Sequence, residues 1–459
     1  MTSESSLLRD IPWRWLVCWL LLPNIAVIAL WPIVGMPMQA VIVVSGALAL
    51  IVSQLPWQSV RRICAVLLFV VVTTIYVCKV FSIWPLHIDM LVQSLADLRP
   101  MRSPEYFVGI AMGLAVIATL FWTVPRVPRL KGTWQTVLAT CAILVFLNMD
   151  MALAAKSRTV GQDLPPAGTP VESAVLQVDL ERDKESQRNV LLVVVEALGV
   201  PARPEEQAIF AADWDRPAWR TRYEVTTGTS RYFGSTRNGE MRELCGQWAE
   251  YTITDFPDVD CLPARFRAAG YETTAIHAFT GRFFNRKEWY PRMGFNQSVF
   301  KEDLYKAGAR ECDGVFIGAC DVDIAPMIAS RLKRAKEPQF IYWLTLNTHV
   351  PVGADPVLGT EKCTLGSAQW RDDFPPLCRL YQLHHHLADS ISTMIMAKDF
   401  PDTDILIVGD HRPPIFDRHE LARFRDGMVP WVYLRARGGS EPADARVDRV
   451  ALATSRQDR

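Results

Sequence analysis

Residues 189–197 read NVLLVVVEA, a continuous apolar run that ends in a carboxylate, Glu196. Such a run is typical of a strand buried on both faces of a parallel sheet. Similar runs recur as QFIYWLTLN at 339–347, DILIVGD at 404–410 and VPWVYLR at 429–435, with helical patterns between them. This alternation of strands and helices predicts an α/β domain with a largely parallel central sheet.

The ends of these predicted strands locate a candidate site. Ligands bind beyond the carboxyl ends of parallel strands, and Glu196, His349 and the pair Asp410 and His411 fall there. Carboxylate and imidazole groups are ligands for divalent metals. The sequence GDH at 409–411, together with Glu196, therefore predicts a three-ligand metal site with an open position for a reactive group.

The first third of the chain has a different composition, with sparse charges and long apolar runs. Five stretches are long enough to cross a bilayer as helices, which takes roughly 17 to 25 residues. They run approximately over 13–34, 38–55, 63–84, 106–124 and 136–154. We therefore expect a five-helix transmembrane domain at 1–155, a linker with a short surface helix at 156–188, and a catalytic domain at 189–459.

Basic residues near the predicted span ends indicate the orientation, because such residues stay in the cytoplasm. One side of the membrane receives Arg9, Arg14, Arg61, Arg62, Arg126, Arg129 and Lys131. With five spans and a cytoplasmic N-terminus, the catalytic domain lies on the outer side. The chain is expected to be a multi-pass protein of a bacterial inner membrane with a periplasmic domain.

Cysteine usage bears on this placement independently. Four cysteines lie in the apolar spans, and the other six form neighbouring couples in the soluble part: Cys245 with Cys261, Cys312 with Cys320, and Cys363 with Cys378. An even count is expected in an oxidising compartment, although six cysteines allow about 15 pairings. A zinc cluster would need close CxxC or CxxH pairs, and these are absent from the sequence. We expect three local disulfides.

The order of five motifs resembles a known family. NVLLVVVEA, GSTRNGE at 234–240, LPARFRAAGYETTAIHAFTGRFFNRKEWYPRMGF at 262–295, LNTHVPV at 346–352 and GDH follow one another as in the lipoteichoic acid synthases and lipid A phosphoethanolamine transferases of the alkaline phosphatase superfamily. The resemblance covers most of 189–435, and membrane spans ahead of the domain fit the same architecture.

This resemblance implies roles for individual residues. Glu196, Thr236, Asp410 and His411 would bind the catalytic metal, and Thr236 would be the nucleophile. A threonine hydroxyl is a poor nucleophile at neutral pH, and a coordinated cation stabilises its alkoxide. Zinc is the preferred ion, while manganese and magnesium also tolerate these ligands.

Further residues would contact the substrate. His277 and His349 resemble the family's substrate-contacting histidines, which bind phosphate oxygens or carry protons. Arg286 would be an additional phosphate contact, and His419 lies shortly after GDH where a histidine facing substrate is expected. After the Asp-His pair, this chain has Arg412, Pro413 and Pro414 where many relatives have glycine and an acidic residue. The loop over the metal is therefore expected to form a different pocket.

The implied function is transfer of phosphoethanolamine or glycerophosphate from a membrane phospholipid, through a phosphothreonine, to a hydroxyl of an envelope glycan or glycolipid. The chain would act as a monomer. Equal numbers of basic and acidic residues, 49 of each, give no indication of nucleic-acid binding. Two alternatives stay open, namely a phosphoester or sulfate-ester hydrolase with the same site, and a catalytically silent partner of a polysaccharide exporter.

Two rival motifs compete with this interpretation. Residues 261–265 read CLPAR, which fits the pattern that sulfatases convert to formylglycine, but Cys261 has a ready disulfide partner in Cys245. The run His384, His385 and His386 resembles a metal cluster, but adjacent residues of a helix point about 100° apart. We expect these three side chains to belong to a partly exposed helix face.

Overall fold

The computed structural model describes residues 11–31, 36–80, 104–157, 165–181, 187–248, 260–314, 316–415 and 417–437. Two parts follow one another in the chain, a bundle of apolar helices and an α/β domain. The bundle consists of α1 (Trp13–Leu30, irregular), α2 (Gln39–Val52), α3 (Gln58–Val80), α4 (Pro104–Thr123) and α5 (Gly132–Ser157).

Four of these helices are long and apolar enough to cross a membrane: Trp13–Leu30, Gln58–Val80, Tyr106–Arg126 and Gly132–Ala154. The predicted count of five is therefore one too many by this measure. Helix α2 has 14 residues, which at about 1.5 Å per residue fall short of a hydrocarbon core of about 30 Å. It packs within the bundle, where Gly46 lies against Ile143 of α5.

The segment between the two parts contains one helix among its described residues. The sequence predicts a short helix in the charged stretch before Arg188, part of which, 182–186, lies outside the described residues. Ahead of that stretch the structure has α6 (Ala174–Val178), which starts at the N-cap Ser173 and ends at Asp179 in the left-handed conformation. Ala174 and Val175 are buried, so this helix is tied to the α/β domain.

The α/β domain contains a seven-stranded sheet in the order β2-β9-β8-β1-β7-β3-β4 and a separate pair, β5 and β6. The pairs β1–β7, β1–β8, β3–β7 and β3–β4 are parallel, whereas β9 pairs antiparallel with β8 and β2. The largely parallel sheet is thus confirmed. The strands are β1 (Asn189–Val195), β2 (Tyr223–Arg231), β3 (Glu272–His277), β4 (Gln297–Val299), β5 (Glu311–Asp313), β6 (Ile317–Ala319), β7 (Gln339–Leu344), β8 (Thr403–Gly409) and β9 (Met428–Ala436).

Helices cover both faces of this sheet. They are α7 (Pro204–Trp214), α8 (Thr236–Cys245), α9 (Leu262–Ala268), α10 (Arg286–Arg292), α11 (Lys301–Lys306), α12 (Asp321–Arg334), α13 (Ala368–Asp373), α14 (Pro375–Met396) and α15 (Arg418–Leu421), with 3-10 turns at Pro217–Thr221 and Phe283–Asn285. The central strand β1 explains the apolar run that opens the domain. Leu191, Val193 and Val195 face one hydrophobic cluster, and Leu192 and Val194 face the other, so both faces of the strand are buried.

Three disulfides join the couples that the sequence pairs: Cys245–Cys261, Cys312–Cys320 and Cys363–Cys378. The first bonds the last residue of α8 to the N-cap of α9. Cys261 is 1% exposed and is held in this bond, so the formylglycine alternative has no free thiol to act on.

We expect that replacing both Cys245 and Cys261 by serine lowers the free energy of unfolding of the α/β domain by about 3 kcal/mol, because the bond closes a loop of 16 residues and restricts the unfolded chain. Thermal melting of the purified full chain measures this loss. Cys141→Ser, which changes an exposed free cysteine, is the control. Equal melting temperatures for the two variants would contradict the expectation.

Candidate active site

Thr236 is the first residue of α8. Its hydroxyl faces Glu196 and His411, which lie just beyond the ends of the central strands β1 and β8. Its Oγ1 donates a hydrogen bond to Glu196 Oε2 at 3.0 Å and lies 3.2 Å from His411 Nε2. His411 Nε2 in turn lies 3.3 Å from Glu196 Oε1 and 3.3 Å from Asp410 Oδ2. The structure thus brings together the four residues that the motif order implies for the metal centre.

The sheet register accounts for the two carboxylates. In the parallel pair β1–β8, Val195 lies opposite Gly409, so Glu196 and Asp410 are the next residues on neighbouring strands. Asp410 Oδ1 accepts hydrogen bonds from the backbone N–H of Ala197 at 2.9 Å and of His411 at 2.6 Å. Ala197 has a φ of 56°, a conformation uncommon for a residue with a side chain. These contacts hold both strand ends in place.

Helix α8 lies close to the strand ends because Gly239 permits the approach and the buried Arg242 hydrogen-bonds to them. A Cβ at Gly239 would lie 3.0 Å from Asp410 Cβ, so the glycine permits the close approach. Arg242 donates to the carbonyls of Gly409 at 2.7 Å and of Asp410 at 3.1 Å, and its Nε donates to Glu243 at 2.6 Å. The helix that carries Thr236 is thereby joined to the loop that carries Asp410 and His411.

The charges of this centre fit a divalent cation. Burial and the neighbouring charge of Glu196 raise the pKa of Asp410 to about 8. Burial also opposes ionisation of Glu196, but the neighbouring imidazoles of His349 and His411 hold its pKa well below the usual range. Glu196 Oε1 and Asp410 Oδ2 are shielded from solvent, and each lies 3.3 Å from His411 Nε2.

Ligand atoms of Glu196, Asp410 and His411 all lie within 4.8 Å of one another. The Nδ1–H of His411 donates to the carbonyl of Arg412 at 2.9 Å, which leaves Nε2 as the nitrogen that faces the carboxylates. Such an orienting bond is usual for a metal-binding histidine. These three side chains could hold a divalent cation, with Thr236 Oγ1 beside it.

His277 and His349 have a matching arrangement of ring nitrogens. The Nδ1–H of His277 donates to the carbonyl of Leu344 at 3.1 Å, and that of His349 to the carbonyl of Val350 at 2.7 Å. In both rings Nε2 therefore carries the lone pair. Burial lowers the pKa of both histidines, for His277 with the help of the Arg286 charge. Burial thus favours the neutral form of both rings, in which Nε2 is able to accept a proton.

Arg286 is held by a buried carboxylate that the sequence analysis missed. Its Nε and Nη2 donate to Glu240 Oε2 at 3.0 and 2.8 Å, and both side chains are almost fully buried. The hydroxyls of Tyr290 and Tyr342 donate to Glu240 Oε1. Burial disfavours the charge of Arg286, but Glu240 overcomes this and raises the arginine pKa. Glu240 lies one helical turn after Thr236, so this network links α8 to the segment that presents Arg286.

Glu240→Gln is expected to destabilise the protein by about 3–5 kcal/mol, because it leaves the guanidinium of Arg286 buried without its counter-charge. The melting temperature should fall by at least about 6 °C for a domain of this size. Glu224→Gln removes a carboxylate that is 66% exposed and serves as the control. If both variants melt at the temperature of the unaltered protein, Glu240 does not stabilise Arg286.

These groups open into one cavity of about 530 Å³. Its walls are mostly apolar and aromatic, and they include residues from the ends of two candidate membrane spans, Val80 of α3 and Tyr106 of α4. The polar groups around it are Glu196, Ser235, Thr236, His277, Arg286, His349, His411, Arg412, Asp417 and Glu420. The cavity therefore has a polar centre at Thr236 and apolar walls that extend to the membrane helices.

Other sequence candidates lie away from this centre. His419 is exposed on α15 and does not line the cavity. His385 contacts Asp213 and Asp389, and His386 contacts Gln382, so the three adjacent histidines do not share one site. His384 differs from the expectation of a partly exposed face, since it is 2% exposed and hydrogen-bonds to the backbone of Glu196.

Comparison with known proteins gives a family match. The sulfatase family model matches residues 188–433, more than half of the chain. A protein of Rhizobium meliloti (strain 1021), named for a role in cyclic beta-1,2-glucan modification, is 29% identical over 214 residues, which are 43% of this chain and 31% of that protein. The match thus spans about a third of the length of that relative.

Several solved structures are similar at low sequence identity. The lipooligosaccharide phosphoethanolamine transferase A of Neisseria meningitidis is 14% identical, covering 94% of this chain and 88% of that chain with a TM-score of 0.47. The lipoteichoic acid synthase LtaP of Listeria monocytogenes is 15% identical, covering 56% and 67% with a TM-score of 0.43. The phosphoglycerol transferase GacH of Streptococcus pyogenes is 17% identical, covering 60% and 77% with a TM-score of 0.39.

Proposed function

The chain belongs to the sulfatase family, and we propose that it transfers a phospho-headgroup from a membrane phospholipid to a hydroxyl of an envelope glycan. The observation that carries this proposal is the position of Thr236. Its hydroxyl lies between Glu196 and His411, at the polar centre of a cavity whose apolar walls include the ends of two candidate membrane spans. A lipid phosphoester has both the phosphate and the apolar body that such a cavity would accept.

In the first proposed step, Thr236 Oγ1 attacks the phosphorus, and the bond between phosphorus and the glycerol oxygen breaks. The proton of the threonine hydroxyl passes through the Nε2 of His349 or His277 to the leaving oxygen, which gives diacylglycerol. Thr236 then carries the headgroup as a phosphodiester. Both histidines are suited to this transfer because their Nδ1 atoms are bound to carbonyls and their Nε2 atoms are unprotonated.

In the second proposed step, a hydroxyl of the acceptor attacks the phosphorus and gives its proton to the same Nε2. The bond to Thr236 breaks, and the threonine oxygen recovers the proton. A divalent cation held by Glu196, Asp410 and His411 would lower the pKa of a hydroxyl beside it and neutralise charge on the phosphoryl oxygens. We propose zinc, because the ligand set combines one imidazole with two carboxylates, and manganese or magnesium as the alternatives.

The donor headgroup is phosphoethanolamine or glycerophosphate, and the acceptor is proposed to be a glucan. The glucan is supported by the name of the Rhizobium relative, which shares 29% of residues over 214 positions. We place the catalytic domain outside the cytoplasm, because its three disulfides favour an oxidising compartment.

Intact-mass spectrometry tests the proposal. The purified full chain, loaded with zinc, is incubated with vesicles of phosphatidylethanolamine or of phosphatidylglycerol. We expect one headgroup to be added on Thr236 and to leave when a glucan oligosaccharide is supplied, with the headgroup recovered on the glucan. Its mass identifies the donor. Release of the headgroup into water at the same rate without glucan would indicate a hydrolase, and absence of any adduct would contradict the proposal.

A further inference from the structure

Arg412 directly follows the candidate metal ligand His411 and lines the same cavity as Thr236. Its side chain is 10% exposed. Its backbone carbonyl accepts the Nδ1–H of His411, and Pro413 follows, whose ring fixes the backbone φ. The position of this arginine is therefore tied to the candidate metal centre.

One donor of the Arg412 side chain is unpaired. Its Nε is shielded from solvent and has no hydrogen-bond partner among the described residues. The other contacts hold the guanidinium at its outer end, where Nη2 lies 3.0 Å from Asp426 Oδ1 and Tyr232 hydrogen-bonds with the side chain. A desolvated N–H of a cation is costly to leave without an acceptor, so the protein neighbours of Arg412 satisfy its guanidinium only in part.

Two arginines occur among the described residues that line this cavity, Arg286 and Arg412. They differ in how strongly their charge is already neutralised. Arg286 is paired with Glu240, which is fully buried. Arg412 is paired with Asp426, whose side chain is 86% exposed, so water and salt screen that attraction. Arg412 is therefore the arginine whose charge is more available to a ligand.

We propose that Arg412 is a phosphate-binding residue, whose guanidinium donates to an anionic oxygen of the phosphoester that occupies the cavity. A guanidinium forms short, charge-assisted hydrogen bonds to phosphate oxygens. This role rests on the proposed function for its substrate, a phospholipid headgroup, although the same contact would also bind free phosphate. It gives a chemical reason for an arginine directly after the Asp-His pair.

The first test measures binding of inorganic phosphate to the zinc-loaded full chain in detergent, by calorimetry. Arg412→Gln removes the charge and should raise the Kd for phosphate about tenfold to hundredfold. Arg220→Gln makes the same charge change at a side chain that is 47% exposed and paired with Asp215, and it should leave the Kd unchanged. Zinc binding and melting temperature are measured for each variant to show that the metal centre and the fold are intact.

A second variant should change the Kd for phosphate in the opposite direction, and its result does not depend on whether Arg412→Gln folds. Asp426→Asn removes the exposed competitor of the ligand and should lower the Kd for phosphate by about twofold to fivefold, in line with the free energy of an exposed ion pair. An unchanged Kd in Arg412→Gln, or a weaker binding in Asp426→Asn, would overturn the proposal.

A further experiment with phospholipid distinguishes a lipid phosphate from free phosphate as the ligand of Arg412. The rate of adduct formation on Thr236 is measured at increasing concentrations of phospholipid vesicles. If Arg412 binds the lipid phosphate, Arg412→Gln raises the KM for lipid together with the Kd for phosphate. A change with inorganic phosphate alone would assign the residue to free phosphate. If the unaltered protein forms no adduct, the proposed function fails, while the phosphate measurements still decide the role of Arg412.

Discussion

Thr236→Ala is expected to abolish the covalent adduct and to lower headgroup transfer by at least about 10³-fold, because loss of a nucleophile removes both steps of the reaction. Zinc should still bind, since Glu196, Asp410 and His411 remain. The measurement is intact-mass spectrometry after incubation with phospholipid vesicles, with transfer of a labelled headgroup to glucan followed in parallel.

Two further variants separate the hydroxyl from its surroundings. Thr236→Ser keeps the hydroxyl at the start of α8 and should retain measurable transfer. Ser235→Ala tests the neighbouring rival, because the Ser235 hydroxyl also lines the cavity and has no hydrogen-bond partner among the described residues. This variant should still form the adduct. An adduct that persists in Thr236→Ala and disappears in Ser235→Ala would identify Ser235 as the nucleophile.

The parts of the site that could be predicted from sequence are those fixed by local patterns. A run such as NVLLVVVEA is short and rich in valine, which is typical of a buried strand, and this places Glu196 at the strand's end. The same reasoning places Asp410 after the run DILIVG. A local pattern cannot show that the two strands are neighbours. Because ligand sites form at the carboxyl ends of parallel strands, the sequence nevertheless predicts that Glu196 and Asp410 lie close together.

The supporting residues could not be found in this way. Glu240 lies in a helical pattern with no signal that distinguishes it from a solvated carboxylate, and its partners Arg286 and Tyr342 are 46 and 102 positions away. The sequence assigns His384 to a partly exposed face because the local pattern cannot show that α14 packs behind Glu196. Such roles depend on tertiary packing, which fixes the neighbours of a side chain independently of its sequence neighbours.

The membrane part shows the same limit. Apolar composition predicted every helix of the bundle, but composition alone extended the second one to 38–55, whereas the helix ends at Val52. Proximity of Val80 and Tyr106 to the cavity at Thr236 was not foreseeable either, because no pattern indicates how a membrane helix end meets a separate domain. That proximity is what favours a lipid donor over a soluble ester in the proposed reaction.

Asp410→Asn is expected to lower zinc affinity by at least about 100-fold. Even the loss of a residue that only hydrogen-bonds to a metal ligand typically lowers metal affinity by about 10- to 100-fold. The substitution preserves the local shape. The asparagine side chain would keep an oxygen for the backbone N–H groups of Ala197 and His411, which now donate to Asp410 Oδ1. The variant thus removes one negative charge from the pair formed with Glu196 while leaving the strand end in place.

Stability should change in opposite directions with and without metal. In a chelator at neutral pH, Asp410→Asn should melt at or above the temperature of the unaltered protein, because burial and the charge of Glu196 disfavour an ionised Asp410. In zinc at roughly a thousandfold excess over its Kd, the unaltered protein should gain about 4 kcal/mol, and the variant much less. Asp399→Asn, which changes a side chain that is 70% exposed, should respond to zinc as the unaltered protein does. If zinc stabilised Asp410→Asn fully, the cation would have to bind elsewhere than between these strand ends.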